Sequence, residues 1–503
     1  MGITEEILMI YNLIEQLLAY LLQKNLINKD EITWARNTLF FALKLEKQAK
    51  PAVYKGKAPS SAIEILNKIS VWAGKNDLLP ADTKTYRDNL ETYLMALFTL
   101  RPSEINEKFL NIYKKSPKRA TDFLYQYCKD NCYIRTDRIA QNIVWKQKTK
   151  SGTLEMAINL SKPEKDPKEI ALQIEQPKNP DSLPKCFLCK ENEGFCGRVN
   201  YASKQNLRLI KLDLNGETFY FQYSPFSYYD EHSIVFSERH YPMEINGKTL
   251  KNLLRFVEQF PHYFIGSNAE LPIVGGSILT HNHYQAGRHS FALDNAKADC
   301  NFKLKKFPSV KAEIVKWPMN TIRLIGAKEK VSAAGTYILN KWRNYNDKKI
   351  GLICKTGKNQ HSTITPIARR KNKNFVLDLI LRNNRDAIFH THEERRNIKR
   401  ENIGLIEALG LAVLPGRLER EFAQIAMLLK KRRVENLQDL SSTAQHYNWV
   451  KSFISKYPSY HKNPEEILLK ETALTFEKML EDCAIFKDTP QGKKAFKRFI
   501  NTL

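Results

Sequence analysis

Leu207-Arg208-Leu209-Ile210-Lys211-Leu212-Asp213-Leu214-Asn215-Gly216-Glu217-Thr218-Phe219-Tyr220-Phe221-Gln222-Tyr223 decides the fold class. Leu207, Leu209, Leu212 and Leu214 are interleaved with Arg208, Lys211 and Asp213, and Thr218–Tyr223 is a second strand-like run. Asn-Gly between two such runs is a strong hairpin signal, because a tight hairpin turn needs two residues that tolerate positive φ. The chain therefore turns to β structure near residue 186, and what lies on either side can be read from there.

Upstream the pattern is helical. Ile7, Ile10, Tyr11, Ile14, Leu17, Leu18, Leu21 and Leu22 recur at helical spacing and form one apolar stripe. Segments 33–48, 60–73 and 84–100 repeat it, with Pro80 and Pro102 as punctuation. Cys128 and Cys132 are spaced to share a helix face and are read as core thiols. The chain changes character over 152–185, where the polar, Pro-punctuated segments 159–167 and 177–185 are read as loops.

Downstream, His232–Ser237 reads as a third strand and Thr249–Phe264 as an amphipathic helix. Residues 271–280 are apolar and Gly-bearing and lead into His281-Asn282-His283-Tyr284-Gln285. A second mixed half follows: strands at Val315–Ile325 and Lys349–Cys354, a helix near 331–345, and a pair at Thr363–Ile367 and Phe375–Leu381. It closes on His390-Thr391-His392, which suggests a duplicated unit with each copy ending in His-x-His. Residues 402–503 return to helix. The class expected is α+β, a helical N-terminal region before a duplicated antiparallel core with flanking helices. The expected divisions are 1–150, 151–300, 301–420 and 421–503.

Composition bounds the function. The chain has 503 residues, 42% of them hydrophobic, which is ordinary globular protein. The net charge is +26, from 80 Lys and Arg against 54 Asp and Glu. That excess favours anionic partners, although scattered surface lysine would produce the same figure. Glu5 and Glu6 stand where a secretory signal carries basic residues, and Glu15 and Gln16 break the first apolar stretch. Eight Cys are too few for a disulfide scaffold. A cytoplasmic protein that engages no membrane is expected.

Of 11 His, all but His446 and His461 lie at 232, 240, 262, 281, 283, 289, 361, 390 and 392. In a strand, His281 and His283 would share a face with Gln285. Two imidazoles and an amide on one face suit a metal, a phosphate or nucleophilic attack at phosphorus, since neutral imidazole is a good nucleophile near pH 7. Cys186-Phe187-Leu188-Cys189 has the spacing with which two thiolates grip one Zn²⁺. No second Cys-x-x-Cys exists, so His240 and His281 are candidates to complete the site. A redox dithiol is the competing reading, but the motif does not open a helix after a strand. Gly275-Gly276-Ser277 would let backbone amides approach a phosphate. Arg369-Arg370 and Arg395-Arg396 lack the interleaved aromatics of a nucleic-acid-binding surface.

Several longer segments carry a resemblance. They include YIRTDRIAQNI (133–143), CFLCKENEGFCGR (186–198), YFQYSPFSYYDEHSIVFSERHYPM (220–243), FPHYFIGSNAELPIVGGSILTHNHYQAGRH (260–289), HSTITPIARR (361–370) and IKRENIGLIEALGLAVLPGRL (398–418). Over nearly its whole length the chain resembles the Firmicute-type, second family of galactose-1-phosphate uridylyltransferases, in the histidine-triad superfamily. The resemblance implies a histidine-triad-like sheet core and transfer of UMP from UDP-glucose to galactose-1-phosphate through a uridylyl-histidine. It puts His283 at the nucleophile position and Gln285 at the phosphoryl contact. It puts Cys186, Cys189, His240 and His281 at a structural metal, with zinc the expected ion, and His361, His390 and His392 at a second site. Asn268, Ser277, Tyr223 and Arg288 fall at substrate contacts. The partners implied are UDP-glucose, UDP-galactose and hexose-1-phosphates, with a homodimer left open and nucleic acid not expected.

The chain departs from the pattern at Asn282, where Asp is expected, at Ala286-Gly287, where Gly-Gly is expected, and at Thr391 and Arg395-Arg396-Asn397, which put the second metal in doubt. Two other readings are separable by experiment. A histidine-triad hydrolase or phosphorylase would act on another nucleotide, and a basic zinc-containing nucleic-acid-binding protein would show steeply salt-dependent binding without turnover.

Overall fold

Asn215 and Gly216 both adopt left-handed backbone, at φ 58° and 82°, as a two-residue hairpin turn requires. Two strands precede them in the chain, β1 (Ile143–Thr149) and β2 (Gly152–Asn159), and the strands they link are β3 (Ile210–Leu214) and β4 (Glu217–Tyr223). In β3, Ile210, Leu212 and Leu214 are buried, while Lys211 and Asp213 are exposed. The computed structural model describes residues 3–46, 54–161, 184–198, 201–276, 278–385 and 393–503.

The chain divides into two compact units. The first comprises Met1–Ala140, Lys162–Leu212 and Thr218–Ser227. Its helices are Ile3–Gln23, Ile32–Ala42, Ile63–Lys75, Lys84–Ala96, Pro102–Tyr113, Pro117–Asp130 and Thr136–Ile139. Pro102 and Pro117 begin helices, where the missing N–H has no intrahelical acceptor to serve. Ile10, Ile14, Leu17 and Leu21 are fully buried, so the expected stripe is the core face. Cys128 ends up inside a helix and Cys132 just past its end at φ 58°, so they share no helix face. Both are buried, and burial pushes both thiols up to about 12, as core thiols.

The second unit comprises Gln141–Ser161, Asp213–Glu217 and Tyr228–Leu503. Here a strand stands where the sequence reading assigns no element. Gly152–Asn159 is β2, antiparallel to β1, and Leu154, Met156 and Ile158 are buried. The run is only eight residues long and abuts the polar Pro-rich segment, which hid its alternation. Residues 162–183 lie outside the described residues.

The main sheet adds β5 (Ser233–Ser237), β6 (Phe264–Gly266), β7 (His283–Gly287), β8 (Ala298–Phe302), β9 (Lys311–Val315) and β10 (Thr321–Gly326). A separate ribbon is formed by β11 (Lys355–Thr356) and β12 (Asn359–Gln360), and the sheet resumes with β13 (Ser362–Lys371) and β14 (Asn374–Asn383). Its ten strands run β3-β4-β5-β7-β6-β13-β14-β10-β9-β8. Outward from the β6–β13 junction the order is β6-β7-β5-β4-β3 on one side and β13-β14-β10-β9-β8 on the other. Each half is a hairpin, a third strand, a helix and two more strands, so the duplication expected from the sequence is present. The two helices, Gly247–Gln259 and Lys328–Arg343, occupy the same place in each half. They approach closely at Gly335, where a Cβ would lie 3.0 Å from Leu250 and 2.8 Å from Leu377. A three-stranded sheet places β15 (Leu411–Pro415) parallel to β2, and the chain ends in helices.

Several boundaries differ from expectation, among them the helix read over 33–48, which ends at Ala42. The helix expected over 249–264 ends at Gln259, before Pro261, and Phe264 opens β6. Val315–Ile325 is two strands separated by a turn with Pro318. Lys349–Cys354 is not a strand, because Gly351 turns the chain at φ 68°. The second His-x-His, His390-Thr391-His392, lies outside the described residues. Among the described residues no helix is long and apolar enough to cross a membrane.

On the sheet face away from these two helices, Asp378 is fully buried and accepts from Arg323 Nε at 2.7 Å and Nη2 at 3.0 Å. Arg369 pairs with the same carboxylate and reaches Asp294 at 3.0 Å. Despite burial, the two guanidinium groups hold the Asp378 carboxyl below its ordinary range. Asp378→Ala removes the carboxylate that Arg323 and Arg369 share and is expected to cost about 3–5 kcal/mol in denaturant unfolding. A cost under about 1 kcal/mol would refute this role for the network.

Candidate active site

The run His281–Gln285 is fastened on its entry side before it becomes a strand. Asn282 N–H donates to Tyr241 O at 2.7 Å, and Ser237 N–H donates to Asn282 O at 3.0 Å. His281 is thereby fully buried, and its Nε2–H donates to the Ser237 carbonyl at 2.8 Å. That bond leaves Nδ1 as the lone-pair nitrogen, which is how a ligating imidazole is oriented. The His240 ring lies 4.7 Å from the His281 ring, centroid to centroid.

Cys186 and Cys189 hold their sulfurs 3.6 Å apart. Asn192 shapes this turn by donating to the Cys186 carbonyl at 2.9 Å and the Cys189 carbonyl at 2.7 Å. The hydrogen bond with Cys189 is the main cause lowering the Cys186 thiol to about 7, which favours the thiolate. Cys186, Cys189, His240 and His281 each offer a ligand atom, all within 4.8 Å of one another. Two thiols and two imidazoles are a donor set that fits a metal ion.

His283 is buried at the start of β7. Its Nδ1–H donates to the His281 carbonyl at 2.8 Å, which assigns the lone pair to Nε2. Burial lowers its pKa to about 4, so the ring is neutral near pH 7. Gln285, one strand step on, stands opposite Ile234 of β5 and Gly266 of β6. Its Oε1 faces His232 Nε2 at 3.3 Å. Tyr284 points the other way, against Asn252 of the helix Gly247–Gln259. The expectation that residues 283 and 285 share a face is met.

The remaining candidates are placed as follows. Asn268 is buried and accepts from Leu405 N–H at 2.8 Å. Gly276 packs on it so closely that a Cβ there would lie 2.8 Å from Asn268 Nδ2. Arg288 is pinned by the buried carboxylate of Glu231, which also accepts from Tyr263. Tyr223 is buried and donates to Thr121 O at 3.1 Å, so it faces a core rather than a cleft. His361 uses both ring nitrogens, on Asn384 at 2.8 Å and Thr356 at 2.9 Å. Ser277, His390 and His392 lie outside the described residues.

Models of the galactose-1-phosphate uridyl transferase N-terminal and C-terminal domains match residues 27–242 and 256–451. A galactose-1-phosphate uridylyltransferase of Fusobacterium nucleatum is 46% identical over 98% of both chains, and one of Bacillus subtilis is 44% identical over 97% of both. The chain belongs to the galactose-1-phosphate uridylyltransferase family. The solved structure of yeast Ap4A phosphorylase Apa2 aligns over 73% of this chain and 97% of that one at 11% identity and a TM-score of 0.38, too distant to bear on the fold or the chemistry.

Membership sharpens the meaning of the departures. Asn282 Nδ2 donates to Tyr241 OH at 3.0 Å, and that hydroxyl donates to Glu217 at 2.8 Å. An Asp at 282 would compete with Glu217 for the single hydroxyl proton, so the neutral amide fits this chain of bonds. Gly287 needs its bare Cα, since a Cβ would lie 2.6 Å from the Tyr229 ring, whereas Ala286 is accommodated, fully buried. Arg395 is paired with Asp482.

Sequence reasoning passed over His232 and Glu231 as site residues. The histidine count contained the first, but its nearness to Gln285 follows from the pairing of β5 with β7. Cys186→Ser should drop bound metal, read by elemental mass spectrometry, to roughly a tenth or less of wild type. His361→Ala should leave it unchanged. Equal metal in Cys186→Ser and wild type would rule the cluster out.

Proposed function

We propose that the protein moves UMP from UDP-glucose to galactose-1-phosphate by double displacement through His283. The observation that carries this reading is the 2.8 Å bond from His283 Nδ1–H to the His281 carbonyl, which leaves Nε2 as the nucleophilic nitrogen of a neutral ring. In the first half-reaction Nε2 forms a bond to the α-phosphorus, the phosphoanhydride bond breaks and glucose-1-phosphate leaves. In the second, a phosphate oxygen of galactose-1-phosphate attacks the same phosphorus, the P–N bond breaks and UDP-galactose leaves with Nε2 free again. One site serves both steps because donor and acceptor phosphates are chemically alike.

The Gln285 carboxamide would donate to a phosphoryl oxygen, stabilising charge there without a cation that would hold product. Asn268 would contact the nucleotide through Nδ2, its Oδ1 being taken by Leu405. Gly276 packs on Asn268 and Ser277 follows it in sequence, and Arg288 keeps the substrate-side role the family pattern gives it, whereas the buried Tyr223 does not. The ion held by Cys186, Cys189, His240 and His281 is read as zinc, and bound there it would order the backbone that supplies the His281 carbonyl. The basic excess of the chain suits sugar-nucleotide and sugar-phosphate substrates.

Incubation with UDP-glucose labelled at the α-phosphorus, followed by denaturation, should leave acid-labile, base-stable label on the protein and none on His283→Gly. Gln285→Ala should form the adduct about 10²–10³-fold more slowly. Exchange of glucose-1-phosphate into UDP-glucose with no trappable label would exclude the covalent route.

A further inference from the structure

His232 is a buried histidine for which the reaction as written has no use. It sits immediately before β5, and Ile234 of that strand is paired with Gln285. Residues two apart in a strand share a face, so the imidazole is the diagonal neighbour of the Gln285 carboxamide. The rings of Tyr229, at 4.6 Å, and Tyr228, at 5.4 Å, pack around it. Nε2 lies 3.3 Å from Gln285 Oε1, while Nδ1 is buried and has no partner among the described residues. Burial lowers the imidazole to about 4, so the ring carries one N–H and no charge.

That N–H must occupy one nitrogen or the other. An orphaned buried N–H is rarer than an orphaned lone pair, because a donor has a single direction in which to be satisfied. The proton therefore belongs on Nε2, where an oxygen accepts it, and the lone pair is left on Nδ1. With its oxygen held by a donor, the carboxamide of Gln285 has one orientation, and its two N–H bonds point away from His232. Without that donor the amide can turn over and present its oxygen to a phosphoryl oxygen, which repels it.

We propose that His232 is a positioning residue, whose Nε2–H fixes the Gln285 carboxamide so that its N–H groups face the reacting phosphoryl group. The proposal rests on the reading of Gln285 as the phosphoryl contact. Sequence alone treats His232 as the first residue of a strand, with no partner.

The test is a double-mutant cycle on the full-length protein, read as the single-turnover rate of adduct formation from labelled UDP-glucose, with KM and Tm measured alongside. His232→Phe keeps a flat ring and removes the donor. It should slow adduct formation by about tenfold or more, with KM within about twofold of wild type. His232→Gln, which restores an N–H, should recover most of the rate. In a Gln285→Ala background, His232→Phe should change the rate by no more than about twofold, because the residue it orients is gone. Should His232→Phe fail to fold, His232→Leu enters the same cycle. A full rate in His232→Phe beside a slow Gln285→Ala would overturn the role of His232 alone. So would an undiminished effect of His232→Phe in the Gln285→Ala background, which marks a general packing role. A full rate in Gln285→Ala would overturn the reading of Gln285 and this inference with it.

Discussion

The bond from His283 Nδ1–H to the carbonyl two residues back makes the rest of the site possible. A side chain held by its own strand's backbone can be aimed only if that backbone is immobile. Here the immobility has two sources. Ser237 and Tyr241 tie down Asn282 on the entry side, and β5 and β6 flank β7 from His283 onward. The same carbonyl belongs to His281, whose ring is turned by Ser237 O toward the cysteine and histidine cluster. The orientations of both imidazoles are thus set within three residues of chain.

The duplicated sheet carries the His283–Gln285 pair in one half and the Asp378 network in the other. Both halves repeat hairpin, strand, helix and paired strands, and they meet at β6 and β13. In the first half the fifth strand opens with His283. In the second the corresponding strand, β14, carries Asp378, committed to Arg323 and Arg369. A buried carboxylate between two guanidinium groups is satisfied and charged, so it braces the sheet and has no capacity left for chemistry. The helix Leu405–Leu409 then docks over Gly266, beside Gln285, where a Cβ would lie 2.8 Å from the Leu405 side chain.

Much of this was legible in the chain. Asn215-Gly216 announced its hairpin because Asn and Gly tolerate positive φ whatever surrounds them. The helical stripe from Ile10 to Leu21 is likewise local. The strand β2 went unread because its alternation is short, and its partners β1 and β15 supply the reason it is a strand. The helix expected to run to Phe264 failed because Phe260, Tyr263 and Phe264 are apolar in either conformation, and only Pro261 spoke for the break. Tyr223 looked like a pocket residue and is a core one, because its hydroxyl finds a carbonyl 102 residues away.

By itself the sequence determined the α+β class, the duplication, the Cys186–Cys189 spacing and the pairing of His283 with Gln285 on one strand face. These depend on spacing, on turn conformation and on alternation, all of which act over a few residues. Tertiary structure decided which nitrogen of His283 is free, which nitrogen of His281 faces the cluster, and that His232 meets Gln285. Each of those depends on strand register and on a backbone carbonyl or side chain brought from elsewhere in the chain, and burial then turns that placement into a protonation state.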